Sequence, residues 1–294
     1  MVRAAAWLAA TRPRTLGASL VPVAVGTAYA WRKIDGISWG TFALCLCFAS
    51  LMQIGANFAN DYYDFRRGAD GQDRIGPARA VASGDIKPRT MQICALAVLS
   101  VGFVVGLFLL WVSHGGWPLL AVGVASVVCA LAYTSGPWPL AYLGLGDLFV
   151  ILFFGLIAVL VTHYVQLSAA GYEWEQAPWI PALGVGLVIN NLLVVNNHRD
   201  AETDRLVGKL TLVARFGRRF GLVAYLMAVV FAMLVFPLLE EGLQGVLALL
   251  PAGIFLGYRL SRANDSRGYG FVFAGTAALI MLYGTFAVAG IIWL

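Results

Sequence analysis

The sequence predicts an all-α, polytopic membrane protein. Hydrophobic residues make up 60% of the 294 residues and charged residues only 12%, and the mean hydropathy is +0.80. Apolar runs of about 20 residues recur along the chain, each long enough to cross a ~30 Å hydrocarbon layer as a helix. Backbone groups in lipid must be satisfied internally, so a span is a helix or part of a closed barrel. The runs lack the two-residue alternation of barrel strands, which leaves helices.

The apolar runs divide into nine predicted transmembrane helices. They lie near residues 15–31, 41–61, 92–112, 117–134, 146–166, 179–198, 220–238, 243–260 and 270–293. If the N-terminus is cytoplasmic and the C-terminus outside, all the basic residues except Arg32 and Lys33, 18 of the 20, lie on the cytoplasmic side. This asymmetry follows the positive-inside rule and predicts that orientation. We therefore expect a multi-pass protein of a bacterial-type inner (cell) membrane, with its charged loops and active site facing the cytoplasm.

Residues 1–294 are expected to form a single domain, since no low-complexity linker divides the chain. Two long, charged loops, near 62–91 and 199–219, are expected on its cytoplasmic side. Arg12-Pro13-Arg14 interrupts the first apolar stretch, so no cleavable signal peptide is expected. The net charge of +5 suits a positive-inside membrane protein, and no aromatic-basic module accompanies it. The expected partners therefore include the lipid bilayer and exclude nucleic acid.

The second predicted span ends in a polar cluster, NFANDYYDFRRGADGQDRIGPARAVASG, at residues 57–84. Asn57, Asp61 and Asp64 stand at positions i, i+4 and i+7, which lie on one face of a helix, and Asn60 lies beside them. Polar and ionisable groups at membrane depth are costly and usually face a bundle interior or a wet cavity. This face is therefore predicted to point inward.

The sixth predicted span ends in a second cluster, NNHRDAETDRLVGKLTLVARFG, at residues 196–217. Asn197, Asp200 and Asp204 stand at i, i+3 and i+7, again on one helical face. Both clusters finish at the same predicted side of the membrane. We expect the two polar faces to meet across one cavity.

The residue types in the two clusters predict a magnesium–polyphosphate site. Carboxylate and amide oxygens are hard ligands that suit Mg²⁺. Arginine and lysine side chains interleaved with them suit phosphate oxygens. An apolar bundle around such a site fits a substrate with a diphosphate head and a long apolar tail. The oxygen donors are Asp61, Asp64, Asp70, Asp73, Asp200, Asp204, Asn57, Asn60, Asn196 and Asn197, and the cations are Arg66, Arg67, Arg74, Arg79, Arg199, Arg205 and Lys209.

Several ordered motifs resemble the UbiA superfamily of intramembrane prenyltransferases. Within it, the chain is most similar to the 1,4-dihydroxy-2-naphthoate polyprenyltransferases of menaquinone biosynthesis. The resemblance rests on Asp73-Arg74-Ile75-Gly76-Pro77 with Arg79, on Asn196-Asn197-His198-Arg199-Asp200 and on Gly208-Lys209-Leu210-Thr211-Leu212. The segments TRPRTLGASLVPVAVG (11–26) and YTSGPWPLAYLGLGDLFVILFFG (133–155) support it.

The resemblance implies nine transmembrane helices around a central cavity and a Mg²⁺-dependent transfer of a polyprenyl group from polyprenyl diphosphate. In the naphthoate branch the acceptor is 1,4-dihydroxy-2-naphthoate, which reacts at its carboxylated carbon with loss of CO₂ to give demethylmenaquinol and diphosphate. Catalysis is assigned to Asp61, Asp64, Asp200 and Asp204, which with Asn57 would hold the metal. Substrate binding is assigned to Asn57, Asn60, Arg74, Arg79, Tyr133, Asn196, Asn197, Arg199 and Lys209.

Two departures from other branches of the superfamily are informative. Relatives that prenylate hydroxybenzoate often carry an aspartate four residues after the position of Asp64, where this chain has Gly68. The YxxxK pattern of some relatives begins here at Tyr133 but has Pro137 in place of the lysine. Both departures count against the hydroxybenzoate branch.

Further residues have two interpretations each. Phe149, Phe153, Phe154 and Tyr164 either line a dry pocket for an allylic cation or only pack helices. Asp147 either caps a helix or acts as a base. Arg12 and Arg14 are either topology signals or ligands for the acceptor or a phosphate. Arg215, Arg218 and Arg219 are expected to form a patch at the membrane surface.

Two alternative functions stay open from sequence. The acceptor of a UbiA-type enzyme is alternatively 4-hydroxybenzoate, homogentisate, chlorophyllide or haem. A cation-coupled transporter would also place Asp and Asn in helices. Its acids are expected near the membrane midplane, however, whereas both clusters here lie at span ends and are followed by basic loops.

Overall fold

The computed structural model describes residues 4–70, 76–174 and 176–293. These three ranges are helical throughout, joined by turns, and contain no β-strand. The all-α prediction is therefore confirmed for the described chain.

The helices follow the predicted spans in order. The α-helices are α1 Ala4–Thr11, α2 Gly17–Ile34, α3 Trp39–Arg66, α4 Pro88–Val112, α5 Gly116–Ala132, α6 Gly146–Val150, α7 Ala158–Ala169, α8 Trp179–Leu206, α9 Leu212–Phe216, α10 Arg218–Val230, α11 Phe236–Leu239, α12 Leu250–Arg262 and α13 Ser266–Ile292. Two π-helical segments, Ile151–Ile157 and Phe231–Val235, join α6 to α7 and α10 to α11. Short 3₁₀ helices cover Pro13–Thr15 and Gln244–Leu249.

Six helices of the described chain are long and apolar enough to cross a membrane. They are α3, α4, Gly146–Ala169, α8, Arg218–Leu239 and α13. The other three predicted spans correspond to shorter or less apolar helices: α2, α5 with 17 residues, and the pair Gln244–Leu249 and Leu250–Arg262. The protein is thus a multi-pass helical membrane protein, while the count of nine spans and the orientation of the termini stay predictions.

Helix α8 is the centre of the bundle. In its most apolar window 67% of the residues are buried, against 22–39% in the other five candidate spans. It packs against α2, α10, α13 and the first π-helical segment. A helix with neighbours on all sides has little freedom to shift. The burial extends to its C-terminal end, where Asn197, Arg199 and Asp204 are buried.

The two helices that carry the polar clusters are unusually long. Both α3 and α8 contain 28 residues. At 1.5 Å per residue each is about 42 Å long, which exceeds a ~30 Å hydrocarbon layer by about two turns. The clusters occupy these last turns. We call the end of the bundle at which α3 and α8 finish the acidic end.

Candidate active site

The two polar clusters line the same cavity, as predicted. The cavity has a volume of about 970 Å³ and is polar at the acidic end and apolar beyond it. Helix α3 contributes Asn57, Asn60, Asp61 and Asp64, and α8 contributes Asn196, Asn197, Arg199 and Asp200. Arg79, Tyr133 and Lys209 also line it, whereas Asp204 does not. Arg74 lies outside the described residues, as does Asp73.

Asp61 organises the loop that follows α3. Its side chain is 2% exposed, and its two carboxylate oxygens accept the backbone N–H groups of Ala80 and Val81, each at 3.2 Å. This pairing folds residues 76–84 back over the cavity and brings Arg79 to its wall. Asp61 is therefore both a cavity carboxylate and the anchor of a loop.

The two asparagines of the first cluster tie other segments to α3. The Asn57 side-chain amide donates to the Thr11 carbonyl oxygen at 3.1 Å. The Asn60 side-chain oxygen accepts from the Thr134 hydroxyl at 2.9 Å. The N-terminal segment and the segment after α5 are thus both fixed at the acidic end by residues of one helix.

Tyr142 connects the two clusters, a role that the sequence analysis missed. Its hydroxyl donates to Asp64 Oδ1 at 3.0 Å, and its backbone oxygen accepts from Leu210 N at 3.1 Å. The Arg67 guanidinium carbon lies 5.0 Å, and the Lys209 ammonium 5.8 Å, from the centroid of its ring. Burial, and then Asp64, raise the pKa of Tyr142, so its hydroxyl remains a proton donor. A tyrosine within the Gly/Pro-rich turn 135–146 was the only signal of this role in the sequence.

Two basic residues of the second cluster, Arg199 and Lys209, are paired with its acids. Arg199 donates two hydrogen bonds, Nε and Nη2 to the two oxygens of Asp200, each at 2.7 Å. Lys209 Nζ, which lines the cavity, lies 3.6 Å from Oδ1 of the buried Asp204. These pairs keep both charge types at the acidic end without leaving a buried charge uncompensated.

The loop after the first cluster contacts Arg199 directly at Gly76. A Cβ atom on Gly76 would lie 2.7 Å from the Arg199 guanidinium carbon, so only a glycine leaves that side chain its position. In the same loop, Arg79 Nε lies 3.6 Å from Asp70 Oδ1. The two motifs that suggested the naphthoate branch are therefore neighbours in space.

Several secondary candidates are also located by the structure. Asp147 lines the cavity and accepts a hydrogen bond from the Asn190 side-chain amide at 3.0 Å. Phe149, Phe153 and Phe154 line the apolar part, whereas Tyr164 packs against Trp174 and is not among the lining residues. Arg12 and Arg14 do line the cavity.

Two residues of the expected membrane-surface patch, Arg215 and Arg218, make contacts within the protein. Arg215 donates to the carbonyl oxygens of Leu143 and Leu210, each at 2.9 Å, and Arg218 lies 3.3 Å from Glu202. Arg215 thereby fixes the segment that contains Tyr142 against the second cluster.

The oxygen donors fit a magnesium ion bound together with a phosphate substrate. Among the described residues, no three Asp, Glu, His or Cys side chains are close enough to form a metal cage by themselves. Mg²⁺ usually takes one or two carboxylates and completes its octahedron with waters and substrate phosphates. Asp61 and Asp64 on one wall and Asp200 on the other suit that kind of site.

Comparison with known proteins agrees with this geometry. The UbiA prenyltransferase family matches residues 19–273. The 1,4-dihydroxy-2-naphthoate octaprenyltransferase of Mycobacterium tuberculosis is 38% identical over 218 residues, which are 74% of this chain and 72% of that protein. The enzyme of that name from Haemophilus influenzae is 33% identical over 220 residues, 73% of this chain and 70% of the relative.

A solved structure shares the fold. A UbiA homolog from Archaeoglobus fulgidus bound to DMAPP and Mg²⁺ superposes with a TM-score of 0.60 and 17% sequence identity, covering 96% of this chain and 99% of that one. The sequence relatives confirm the resemblance inferred from the motifs, and they favour an enzyme over a transporter. The chain belongs to the UbiA prenyltransferase family and is a polyprenyltransferase.

Proposed function

We propose that the protein transfers a polyprenyl group from polyprenyl diphosphate to 1,4-dihydroxy-2-naphthoate, with Mg²⁺ as cofactor. The products are demethylmenaquinol, CO₂ and diphosphate. One observation carries the proposal: both acidic clusters and their basic residues meet at the polar end of a single apolar cavity. The names of the sequence relatives support the naphthoate acceptor.

The diphosphate head binds where the cations face the cavity. Arg199, Lys209 and Arg79 supply guanidinium and ammonium donors there, with Arg74 added from the predicted motif. In the described state Arg199 is paired with Asp200. An incoming phosphate would offer Arg199 an equivalent bidentate acceptor, which would free Asp200 to help hold a metal ion. Substrate binding would thus give Arg199 a new anionic partner and would not leave its buried charge unpaired.

The carboxylates would hold the metal ions. Asp61, Asp64 and Asn57 on α3, and Asp200 and Asp204 on α8, would bind them, with Asn60, Asn196 and Asn197 orienting the head group. Bound Mg²⁺ neutralises the charge that develops on diphosphate as the allylic C–O bond breaks. Tyr142 keeps Asp64 oriented towards the cavity by hydrogen bonding to one of its oxygens.

The apolar part of the cavity protects the allylic cation from water. Phe149 and Phe153 stack with their ring centroids 5.9 Å apart, and both line the cavity wall near Asp147. Aromatic faces stabilise a nearby cation through their quadrupole, and a dry wall prevents its capture by water. Tyr133, at the end of α5, also lines the cavity and would contact the head or the acceptor.

The acceptor ring then attacks the cation. A carbon–carbon bond forms at the carboxylated carbon, the carboxylate leaves as CO₂, and its electron pair restores the aromatic ring. Diphosphate leaves with the electron pair of the broken C–O bond, and no net proton is consumed. Asp147, held by Asn190, is the candidate base that accepts a phenolic proton transiently.

The proposed orientation places the acidic end in the cytoplasm of a bacterial-type inner membrane. The concentration of basic residues in the loops of that end supports it. The test is an Arg89→Cys variant, at an exposed position, in which the four natural cysteines are replaced. Sealed cells that contain this variant are treated with a membrane-impermeant maleimide. Labelling only after cell disruption is expected, and labelling of intact cells would contradict the orientation.

The reaction itself is tested with protein reconstituted in lipid. The mixture contains Mg²⁺, a polyprenyl diphosphate and either dihydroxynaphthoate or 4-hydroxybenzoate, and products are identified by mass spectrometry. A decarboxylated prenyl naphthoquinol that disappears with EDTA is expected. A prenylated hydroxybenzoate without any naphthoate product would assign the enzyme to another acceptor, and activity that survives EDTA would exclude the metal.

A further inference from the structure

The segment that joins α5 to α6, residues 135–146, has two different faces. We call it the α5–α6 turn. Its buried residues Tyr142, Gly144 and Gly146 alternate with Leu143 and Leu145, which are 40% and 37% exposed. Neighbouring exposed apolar side chains on a protein surface mark a contact with another molecule or with a membrane. The outer face of the turn therefore needs an apolar neighbour.

The inner face of the turn belongs to the candidate active site. The Tyr142 hydroxyl donates to Asp64 Oδ1 at 3.0 Å. A Cβ atom on Gly144 would lie 2.9 Å from the Leu210 carbonyl oxygen, so the turn lies directly against the loop that follows α8. A displacement of the turn would therefore also displace the hydrogen-bond donor of Asp64.

Two arginines hold the backbone of the turn. Arg67, the C-cap of α3, donates from Nη2 to the Gly136 carbonyl oxygen at 2.6 Å. Arg215 donates from Nη2 to the Leu143 carbonyl oxygen at 2.9 Å. Both arginines are exposed, so their charges lie at the same surface as the leucines. Arginines beside apolar side chains suit the boundary between hydrocarbon and phosphate headgroups.

Trp138 lies at the outermost part of the turn. It is 75% exposed and stands between Pro137 and Pro139, which restrict the backbone on both sides. Tryptophan is enriched where a bilayer meets water, because its ring is apolar and its indole N–H needs a polar partner. This residue type is therefore suited to the headgroup layer.

The depth of the turn agrees with that environment. Helix α5, which precedes the turn, has 17 residues and is about 26 Å long, which is less than a ~30 Å hydrocarbon layer. Helix α3, whose C-cap binds the turn, is about 42 Å long, close to the ~40–45 Å of a bilayer with its headgroups. The turn thus lies at headgroup level. Leu148 of α6, 59% exposed, continues the apolar surface below it.

We propose that the α5–α6 turn docks on the phospholipid surface of the bilayer through Trp138, Leu143 and Leu145. This contact holds the Tyr142 hydroxyl against Asp64. The apolar outer face is continuous with the exposed side of α6, and the two exposed arginines complement the phosphates of the headgroups. The link to Asp64 rests on the proposed function, because its readout is the Mg²⁺ dependence of prenyl transfer.

A nitroxide label measures the depth of the turn. Trp138→Cys is made in a protein whose four natural cysteines are replaced by alanine, and the labelled protein is reconstituted in vesicles of phosphatidylglycerol and phosphatidylcholine. Oxygen concentrates in the bilayer and a nickel chelate stays in water, so the ratio of their collision rates with the label reports depth. The matched controls are Leu148→Cys and Glu202→Cys, whose native side chain is 76% exposed near the end of α8.

The oxygen-to-nickel ratio at position 138 is expected to lie above that at position 202 and towards that at position 148. A ratio equal to that at position 202 would overturn the proposal, because it would place Trp138 in water. This measurement needs no enzyme activity.

Removal of the apolar face tests the link to Tyr142. Leu143→Ser combined with Leu145→Ser should raise the Mg²⁺ concentration for half-maximal activity by up to about tenfold, because the residue that orients a metal ligand loses its support. The same pair should cause no further rise in a Tyr142→Phe protein, which already lacks the hydroxyl. Val124→Ser combined with Val128→Ser, at exposed positions of α5, is the matched control and should leave the Mg²⁺ titration unchanged.

An equal rise in the two backgrounds, or no rise in either, would overturn the link to Asp64. If the serine pair does not fold, Leu143→Ala combined with Leu145→Ala decides. Failure of the proposed function would look different, because wild type would then form no naphthoate product while the label at position 138 still reported its depth.

Discussion

The Tyr142 hydroxyl donates a hydrogen bond to Asp64 Oδ1 at 3.0 Å, across 78 residues of sequence. The same tyrosine lies beside Arg67 and Lys209 and accepts a backbone hydrogen bond from Leu210. One side chain therefore sets the position of an acid from the first cluster and a cation from the second. The geometry of the candidate diphosphate site depends on a loop outside both motifs.

Tyr142→Phe removes the hydroxyl and keeps the ring. Residues that orient metal ligands typically contribute about 10–100-fold in metal affinity. We expect the Mg²⁺ concentration for half-maximal activity to rise by about that factor, with an unchanged KM for the acceptor. Because the pKa of Tyr142 is raised, wild type should show no loss of activity from this group up to its ordinary pKa of 10.0.

The control is Tyr172→Phe, which alters a tyrosine that is 45% exposed. It should leave the Mg²⁺ titration unchanged. An unaltered titration in Tyr142→Phe would show that the hydrogen bond to Asp64 does not position a metal ligand.

Asp64→Asn and Asp200→Asn each remove one charge from opposite walls of the cavity. Because these charges are proposed to hold the metal ions that stabilise the leaving diphosphate, kcat should fall by at least about 100-fold in each variant. Asp35→Asn is a matched control, since Asp35 has a backbone φ of 45°, a conformation that asparagine tolerates. Retention of more than a tenth of wild-type activity by Asp64→Asn would refute its assignment.

Asp61→Asn should differ from Asp64→Asn because Asp61 accepts two backbone N–H groups. An asparagine side chain has only one acceptor oxygen, so one buried N–H loses its partner at a cost of about 1–3 kcal/mol. A lower thermal unfolding temperature is expected together with lost activity. Asp64→Asn should lose activity with a smaller change in unfolding temperature, and equal destabilisation of both variants would contradict the loop-anchoring role of Asp61.

Arg199→Lys replaces a planar, bidentate donor by a point charge. Loss of one charged hydrogen bond to phosphate corresponds to about a tenfold rise in KM for the diphosphate donor. The KM for the acceptor should stay constant. Arg89→Lys, at an exposed position in the first turn of α4, is the control. An equal rise in KM for both substrates would point to general misfolding of the site.

Gly76→Ala tests the contact between the two motifs. The added Cβ would lie 2.7 Å from the guanidinium of Arg199, which must move away. Because the flexible side chain yields at about 0.5–1.5 kcal/mol, the donor KM should rise about two- to tenfold with little change in stability. Gly40→Ala, where an added Cβ meets no heavy atom within 4 Å, should leave the KM unchanged. A donor KM equal to that of wild type in Gly76→Ala would show that the contact between Gly76 and Arg199 does not affect donor binding.

The spacing of apolar and polar residues along the chain was sufficient to predict much of the fold and the residues of the candidate site. The spacing of Asn57, Asp61 and Asp64 defines one helical face because helical periodicity is a property of neighbouring residues. The same holds for Asn197 and Asp200, and the structure places all five on one cavity. The sequence placed Asp204 with them as well; in the structure it is not among the lining residues but lies 3.6 Å from Lys209, which is. Helical periodicity defines a polar face, but it does not predict how far along that face the cavity extends.

Contacts between residues that are distant in sequence could not be predicted from local patterns. Nothing local to Tyr142 specifies Asp64 as its partner, and nothing local to Arg215 distinguishes a lipid headgroup from the Leu143 carbonyl that it binds. Likewise, nothing local to Gly155 specifies that its backbone lies against Gly186 of α8. Apolar composition and helix periodicity, which act over a few residues, specify the spans, the polar faces and the choice of hard oxygen ligands. Which faces meet, which acid each cation pairs with and where the cavity opens depend on the packing of helices far apart in the chain.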